Sequence, residues 1–278
     1  TPGADVENRT KYDSQNTQTY GFTIGAPIVK NKLFIFASAE YYRKSYPNIY
    51  SPENKTYEVE KLTLSKPVEI DGKQHKYFAS EVAQAIIDHY SKTYHNGKKV
   101  AESFGQHQVN SPSINAMLRL DWNINDKNKM MLRYQLMDAY TDKYSSGSST
   151  YYFNNSSYKM SDLTNTIVLE LNSRPSENVA NEFRATAVLV RDKRDVAYPG
   201  ANMYIKDKVY VNIGTEYSSG ANSMNSDTYT ISDNVFLYAG NHTITLGTHN
   251  EIYRFNNLFL QYAYGGYTFN SIADFFAN

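Results

Sequence analysis

The segment NAMLRLDWNINDKNKMMLRYQL, residues 115–136, contains two runs of alternating apolar and polar side chains around a polar turn. Successive side chains of a β-strand point to opposite faces, so the pattern predicts a β-hairpin with one apolar and one charged face. The apolar face of this hairpin would carry Leu118, Leu120, Trp122, Ile124, Leu132, Tyr134 and Leu136.

Cross-strand pairing tests this hairpin, because apolar residues should face apolar residues and charges should face opposite charges. A turn centred on Lys127 meets both conditions, and it predicts the pairs Trp122–Leu132, Leu120–Tyr134, Asp121–Arg133 and Arg119–Gln135. A soluble sandwich would bury the apolar face, whereas a membrane barrel would turn it to lipid and the charged face to a wet lumen. The hairpin alone is compatible with both architectures.

Composition narrows the classes of protein that these 278 residues could form. Cysteine is absent, which excludes disulfides and thiolate metal sites. The net charge of zero gives no general electrostatic case for nucleic-acid binding. The 26 tyrosines and 13 phenylalanines are typical of a β-rich protein. The chain contains no run of about 18 apolar residues, which a membrane-spanning helix would need. This does not exclude a membrane barrel, because barrel strands are shorter and alternate between apolar and polar residues.

Hairpins of the same kind recur along the chain, each with a short turn. The predicted strands pair 20–28 with 33–41, 118–124 with 132–136, 164–171 with 182–190, and 228–238 with 243–255. Two-residue turns predict Ile28–Leu33, Ala26–Ile35, Ile24–Ala37, Phe22–Ala39 and Tyr20–Tyr41 in the first hairpin, and Val235–Leu246 and Leu237–Ile244 in the last. The connections between hairpins are roughly 70, 25 and 40 residues long, and short turns alternating with long loops indicate an outer-membrane barrel.

We therefore predict an all-β fold, a segment of an antiparallel up-and-down transmembrane β-barrel with short periplasmic turns. Its long extracellular loops would span 43–112, 140–160 and 191–227. Substrate capture is expected chiefly in 46–112 and 191–227, where aromatic side chains supply contact area.

Short elements are predicted within and after these loops. The first loop would contain a strand at 61–70 and a helix near 80–95, with Ser80 as its N-cap and Gly97 as its C-cap. A short strand is predicted at 209–213 and a short helix at 271–276. The Ser- and Gly-rich segment 140–159 is expected to be flexible.

Alternation assigns candidate residues to the two faces of the barrel wall. The apolar set is expected to face lipid: Phe22, Ile24, Ile35, Leu118, Leu120, Trp122, Leu132, Leu136, Leu169, Phe183 and Leu246. The charged set is expected to face the lumen: Glu40, Arg119, Asp121, Arg133, Glu170, Glu182 and Arg184. Charges that only solvate a wet lumen or pair across strands would produce the same pattern.

The stretch YGFTIGAPIVKNKLFIF at 20–36, followed by Glu40 and Arg43, resembles a conserved stretch of TonB-dependent outer-membrane receptors. The similarity is greatest to the Oar-like subgroup common in Bacteroidetes. Ala26 stands where the usual Gly-Gly-Pro has its second glycine. Later segments that look like the same family are 119–122, 133–134, 181–184, 233–234, 240–243, 266–269 and 272–275.

This resemblance implies a receptor in the Gram-negative outer membrane, with a barrel of about 22 strands, an N-terminal plug and a TonB box. The chain would be an early part of that barrel, with about eight to ten strands and without the plug. In a complete receptor of this family the seven charged residues that face the lumen would contact the plug or line the solute path. Its function would be capture of a bulky solute by extracellular loops and import driven by TonB. The implied partners are outer-membrane lipid, the receptor's own plug, TonB and a surface lipoprotein. We expect no enzymatic activity and no cofactor.

Two other readings stay open. A closed eight-stranded barrel could have a structural or adhesive role, and its strands would have no free edges. A soluble β-sandwich enzyme or sugar-binding domain would require apolar faces that meet across a core. Four histidines fall in the first long loop and suggest a metal site, but their spacing favours a solvated loop: His75, His89, His95 and His107. We therefore expect no bound metal.

Overall fold

The computed structural model describes residues 14–47, 63–98, 108–145 and 150–278. Eight long strands form one antiparallel sheet in which every strand pairs with its neighbours in chain order. They are β1 (Asn16–Val29), β2 (Leu33–Pro47), β5 (Gln108–Asn125), β6 (Asn128–Lys143), β8 (Tyr158–Ser176), β9 (Val179–Val196), β12 (Ala221–Ala239) and β13 (His242–Leu260). This meander confirms the predicted all-β, up-and-down architecture and its four hairpins.

Cross-strand registers confirm most of the predicted pairs. In the β1–β2 hairpin all predicted pairs form except Ile28–Leu33, because a bulge beyond Pro27 places Val29 opposite Leu33. The β12–β13 hairpin has both predicted pairs. The strands also extend past the predicted loop bounds, so the connections run from 48 to 107, from 144 to 157 and from 197 to 220.

The register predicted for the β5–β6 hairpin is wrong by two residues. Leu120 lies opposite Leu132, and Arg119 lies opposite Arg133. Two features cause the shift: a turn of only two residues, in which Asn125 Oδ1 accepts a hydrogen bond of 3.0 Å from the Lys127 amide, and a bulge at Ile124, which has no cross-strand partner. This side-chain-to-backbone bond closes the turn tightly. A shift of two residues leaves every side chain on its predicted face.

The registers place all the predicted lipid-facing residues on one face of the sheet and all the predicted lumen-facing residues on the other. One cross-strand row of the apolar face contains Ile35, Leu120, Leu132 and Leu169. The side chains of this face remain open, with Phe22 62%, Ile24 63% and Leu246 61% exposed. A soluble sandwich would bury such a face, so the sandwich reading does not describe this sheet.

The sheet is open. Within the described ranges, β1 and β13 are its two edges and each pairs with only one neighbour. The described strands therefore do not close into an eight-stranded barrel, which is the architecture that the structural or adhesive reading requires.

The long connections and the segment after β13 fold together at one end of the strands into a compact unit, which we call the cap. Its elements are β3 (Thr63–Ile70), β4 (Lys73–Tyr77), α1 (Ser80–Tyr94), β7 (Thr150–Tyr152), β10 (Asn202–Lys206), β11 (Tyr210–Ile213), β14 (Gly266–Phe269) and α2 (Ile272–Phe276). Four strands form a sheet in the order β14-β10-β11-β7, and β3 and β4 form a hairpin. These elements include the short strands and helices predicted near 61–70, 80–95, 209–213 and 271–276.

A hydrophobic core joins elements of the cap that are far apart in the chain. Val82 and Ile86 of α1, Met203 of β10, Val211 of β11 and Phe275 of α2 are all fully buried in it. Burial of several such side chains stabilises a fold by about 1.5–3 kcal/mol each. The cap is therefore a small folded domain built from loops.

Asp207 connects three parts of the cap. Its carboxylate is buried and accepts hydrogen bonds from the backbone amides of Ser65 at 2.6 Å, Lys208 at 2.7 Å and Ile272 at 2.9 Å. Bonds from backbone amides to a buried carboxylate are stronger than neutral ones. Asp207 thus holds β3, the β10–β11 turn and the start of α2 together.

Three local predictions for the cap are corrected. Helix α1 begins at Ser80, but its N-cap residue is Ala79 and no side chain caps it. Its C-cap residue is His95, and Gly97 lies two residues further on, where its amide donates to Ser91 O at 2.9 Å. The segment predicted to be flexible is ordered at its described positions, since 140–143 extends β6 and β7 pairs with β11. Two of its polar side chains also form hydrogen bonds near β11, because Ser156 donates to Asn212 Oδ1 and Asn155 accepts from the Gly214 amide, each at 3.0 Å.

Candidate functional site

The polar face of the long sheet carries all seven predicted lumen-facing residues on five successive strands. They are Glu40 on β2, Arg119 and Asp121 on β5, Arg133 on β6, Glu170 on β8, and Glu182 and Arg184 on β9. Because the strands run in chain order, residues from distant segments become neighbours on this face. The sheet thus brings together charges that the sequence separates.

Four of these charges form two ion pairs. Arg119 donates two hydrogen bonds to Asp121, at 2.8 and 2.7 Å. Arg184 donates two to Glu170, at 3.1 and 2.7 Å. The predicted pairing of Asp121 with Arg133 is therefore wrong, because the shifted register places Met131 opposite Asp121. Two hydrogen bonds from one arginine to one carboxylate also fix the orientation of both groups.

Arg133 is the one arginine of this set that forms no ion pair with a described carboxylate. It lies directly opposite Arg119 on one side and opposite Val168 on the other. Its Nε atom is buried and has no hydrogen-bond partner among the described residues. A buried donor without an acceptor costs free energy. The cluster therefore favours the approach of an anionic group, such as a carboxylate, to Arg133.

A groove lies on the polar face next to this cluster. It has a volume of about 620 Å³ and is lined by Glu40 together with polar, small and apolar residues of β1, β2, β5 and β6, among them Met117 and Gln135. Gly21 of β1 also lines it, and a Cβ at this position would lie 3.3 Å from Ala39 O. Glu40 and Glu182 form no ion pair with another described residue. The groove is where a solute or a plug segment could lie against the wall.

The described histidines of the first loop are His75, His89 and His95. No group of three or more potential metal-ligating residues is found within the described part of the chain. His75 lies on β4, while His89 packs edge-on against Phe275 at a centroid distance of 4.9 Å. His95 packs against Tyr90 at 4.9 Å, and His107 lies outside the described residues. The expected solvated loop is thus wrong for His89 and His95, which pack in the cap.

The packing of His89 predicts a pH dependence of the cap. Burial lowers the pKa of His89 below its ordinary value of 6.5, although a hydrogen bond with the Phe275 backbone opposes this shift. Burial also lowers the pKa of His95. A group with a lowered pKa in the folded state stabilises the fold above its unfolded pKa, so we expect cap stability to fall as the pH drops below about 6.5.

Hydrogen exchange of the α1 amides at about pH 7.5 and about pH 5.5, corrected for the intrinsic exchange rate, measures this effect. His89→Phe should reduce the loss of protection at acid pH, and adding His95→Phe should remove most of it. His75→Phe is the control and should leave the loss unchanged. Equal protection of the wild-type cap at both pH values would contradict the expectation.

The cap is the part of the site that sequence reasoning missed. The available signal was alternation inside a polar loop, since Met203 and Ile205 alternate with Asn202 and Tyr204. In the structure the first two are fully buried and the other two point to the opposite face. Two apolar residues in a strand of five are too weak a pattern to predict a core by themselves.

None of the helices in the described ranges is long and apolar enough to cross a membrane.

Comparisons with known proteins agree with this architecture. Residues 4–278 match the family described as "Outer membrane beta barrel domain". No curated protein is significantly similar to the chain. The crystal structure of the outer membrane transporter YddB from Escherichia coli is similar over 86% of this chain, with a TM-score of 0.55 and 10% sequence identity. The chain spans 26% of the length of YddB.

A second solved structure, the CymD monoaromatic hydrocarbon channel, matches over 88% of this chain and 71% of that channel. Its sequence identity is 10% and its TM-score is 0.26, which is too low to support an argument about fold. The family match over nearly the whole chain, together with the open meander of long strands, identifies the chain as a member of the outer membrane beta-barrel domain family, located in the outer membrane.

Proposed function

We propose that this chain is part of a TonB-dependent outer-membrane transporter that captures a bulky solute at its extracellular cap and imports it. The observation that carries the proposal is the open sheet, whose polar face holds an unpaired arginine and whose long connections form a folded cap. An open sheet with two free edges needs further strands to close. The fold likeness to YddB, a larger chain described as a transporter, is consistent with a larger barrel.

The charged cluster supports a role for a plug. A plug inside the barrel would present carboxylates to the polar face, and Arg133 has a buried donor for one. Such contacts hold a plug in place until force displaces it. We also propose that the chain belongs to the Oar-like group of TonB-dependent receptors. This proposal rests on the stretch at 20–36 and on the later segments that look like the same family. A surface lipoprotein remains a proposed partner.

Growth of a deletion strain tests the transport function. The strain lacking the full-length protein should fail to grow on at least one solute supplied at limiting concentration as sole carbon, nitrogen or iron source. The full-length gene should restore growth. The rescue should disappear when TonB is also deleted, because import would lack its energy source.

Normal growth of the deletion strain on every solute of a broad panel would overturn the transport proposal. Rescue that persists without TonB would instead show a passive channel. The full-length protein carrying Arg133→Gln is expected to reach the membrane in normal amount but to restore growth less well. A Lys129→Gln variant, changed on the same face nearer the turn, is its control.

A further inference from the structure

A cleft lies on the face of the four-stranded cap sheet opposite to the core. Strand alternation explains its position, because Met203 and Ile205 enter the core while Asn202 and Tyr204 point the other way. The cleft has a volume of about 560 Å³, within the roughly 300–1,000 Å³ that is usual for small-ligand sites. Five tyrosines line it: Tyr152, Tyr204, Tyr217, Tyr262 and Tyr267.

Tyr262 has an unfavourable backbone conformation that two backbone hydrogen bonds maintain. Its φ is +51°, in the left-handed region, which costs a residue with a side chain free energy. The Tyr262 amide donates to Tyr217 O at 2.7 Å, and the Gly265 amide donates to Tyr262 O at 2.7 Å. A Cβ on Gly266 would come within 2.5 Å of the Tyr262 ring. The loop therefore places this ring against the glycine and keeps it there.

Burial does not explain this position. Tyr262 is 51% exposed and its ring neighbour Tyr217, 5.7 Å away between centroids, is 47% exposed. Strain that persists at an exposed aromatic pair gains little for folding, and such strain concentrates at ligand sites. The two rings thus form an exposed aromatic wall of the cleft.

The cleft presents no unpaired charge among its described lining residues. Glu216 is the only charged one, and it accepts hydrogen bonds from Ser219 Oγ at 2.5 Å and Ser218 Oγ at 2.8 Å. Arg194 lies 3.9 Å from the same carboxylate. Burial raises the pKa of Tyr152, so its phenol is neutral at physiological pH. A charged ligand would find no free counter-charge on these side chains.

The floor of the cleft offers hydrogen bonds. Asn202 and Asn212 are both buried and exchange amide hydrogen bonds of 3.1 and 3.2 Å. Asn202 uses its other proton on Thr215 O. Within the described contacts, Asn212 donates only one of its two amide protons, which leaves the second for a ligand oxygen. Tyrosine hydroxyl groups along the walls add both donors and acceptors.

We propose that this tyrosine cleft binds a neutral oligosaccharide, and that it is the capture site of the transporter proposed above, on which this inference rests. Sugar rings have apolar C–H faces that pack on aromatic rings, and hydroxyl groups that bond to phenols and amides. The exposed ring pair and the amide floor match these two features. An extended peptide would instead pair with a strand edge, whereas this cleft lies on the face of a sheet.

Binding of the full-length protein in detergent to a printed array of neutral glycans, acidic glycans and short peptides tests the inference. The best neutral oligosaccharide is then titrated by calorimetry. Tyr217→Ala and Tyr262→Gly are each expected to weaken its binding roughly fivefold to tenfold by removing a stacking ring. Glycine accepts a positive φ, so Tyr262→Gly should not disturb the loop. Tyr77→Ala, which removes a tyrosine of equal exposure from β4, should bind like wild type.

Three results would overturn the inference: no neutral glycan bound on the array, stronger binding of peptides or acidic glycans at this cleft, or unchanged affinity in both cleft variants. Transport is judged separately, by growth of the deletion strain on the glycan that binds. If the deletion strain grows normally on this glycan although the cleft binds it, the binding site is supported and its role in uptake is excluded. Lost growth on another solute, without glycan binding, would leave transport standing and remove the ligand assignment.

Discussion

Replacing Gly214 by alanine is expected to open the cap. Gly214 has a φ of +103°, which an L-residue with a side chain rarely adopts. An added Cβ would lie 2.0 Å from Ala201 O and 2.9 Å from the hydroxyl of Tyr90, which itself donates to Ala201 O at 2.8 Å. Backbone strain and overpacking together should lower the free energy of cap unfolding by roughly 2–5 kcal/mol.

Gly72→Ala separates the two causes. Gly72, in the β3–β4 turn, has a similar positive φ of +75°, but nothing lies within 4 Å of its added Cβ. This variant should lose only about 1–2 kcal/mol, from backbone strain alone. Hydrogen exchange of the α1 amides in the full chain measures both. The α1 amides could be as well protected from exchange in Gly214→Ala as in Gly72→Ala. In that case the close packing of Ala201, Gly214 and Tyr90 does not stabilise the cap.

Leu120→Arg is expected to have the second large effect. Leu120 lies in the middle of the apolar face, between Ile35 and Leu132 of the neighbouring strands. If this face meets lipid, an arginine there should destabilise the folded barrel by roughly 2–4 kcal/mol, because a charge near the bilayer midplane is poorly solvated. Urea titration of the full-length protein folded into phospholipid vesicles measures the change.

Gln135→Arg is the matched control for the opposite face. Gln135 is exposed on the polar face of β6, opposite Met117 of the same strand that carries Leu120. A charge in a wet lumen should change stability by no more than about 0.5 kcal/mol. A larger loss from Gln135→Arg than from Leu120→Arg would reverse the assignment of the two faces and with it the predicted lipid-facing and lumen-facing residues.

The long hairpins were predictable because a strand's faces depend on a period of two residues, which is local in sequence. Leu120 and Arg119 could be assigned to opposite faces without any tertiary information, and the register confirms that separation. The exact pairing was less accessible. Arg119 faces Arg133 because Asn125 closes a tighter turn than the five polar residues suggested and because a bulge at Ile124 shifts the register by one more residue. Cross-strand preferences of under about 1 kcal/mol per pair could not exclude the alternative.

The cap lay beyond local reasoning, and the reason is the range of its contacts. Its core contains Val82 of α1 together with side chains from β10, β11 and α2, although one or more long hairpins separate α1 from these segments in the chain. Each loop alone buries too few apolar residues to offset its ordering entropy, so each reads as a polar connection. The meander places every long connection at the same end of the strands, and only this arrangement brings these fragments together. Local alternation thus determines the barrel wall, whereas the cap and its tyrosine cleft exist only through tertiary contacts.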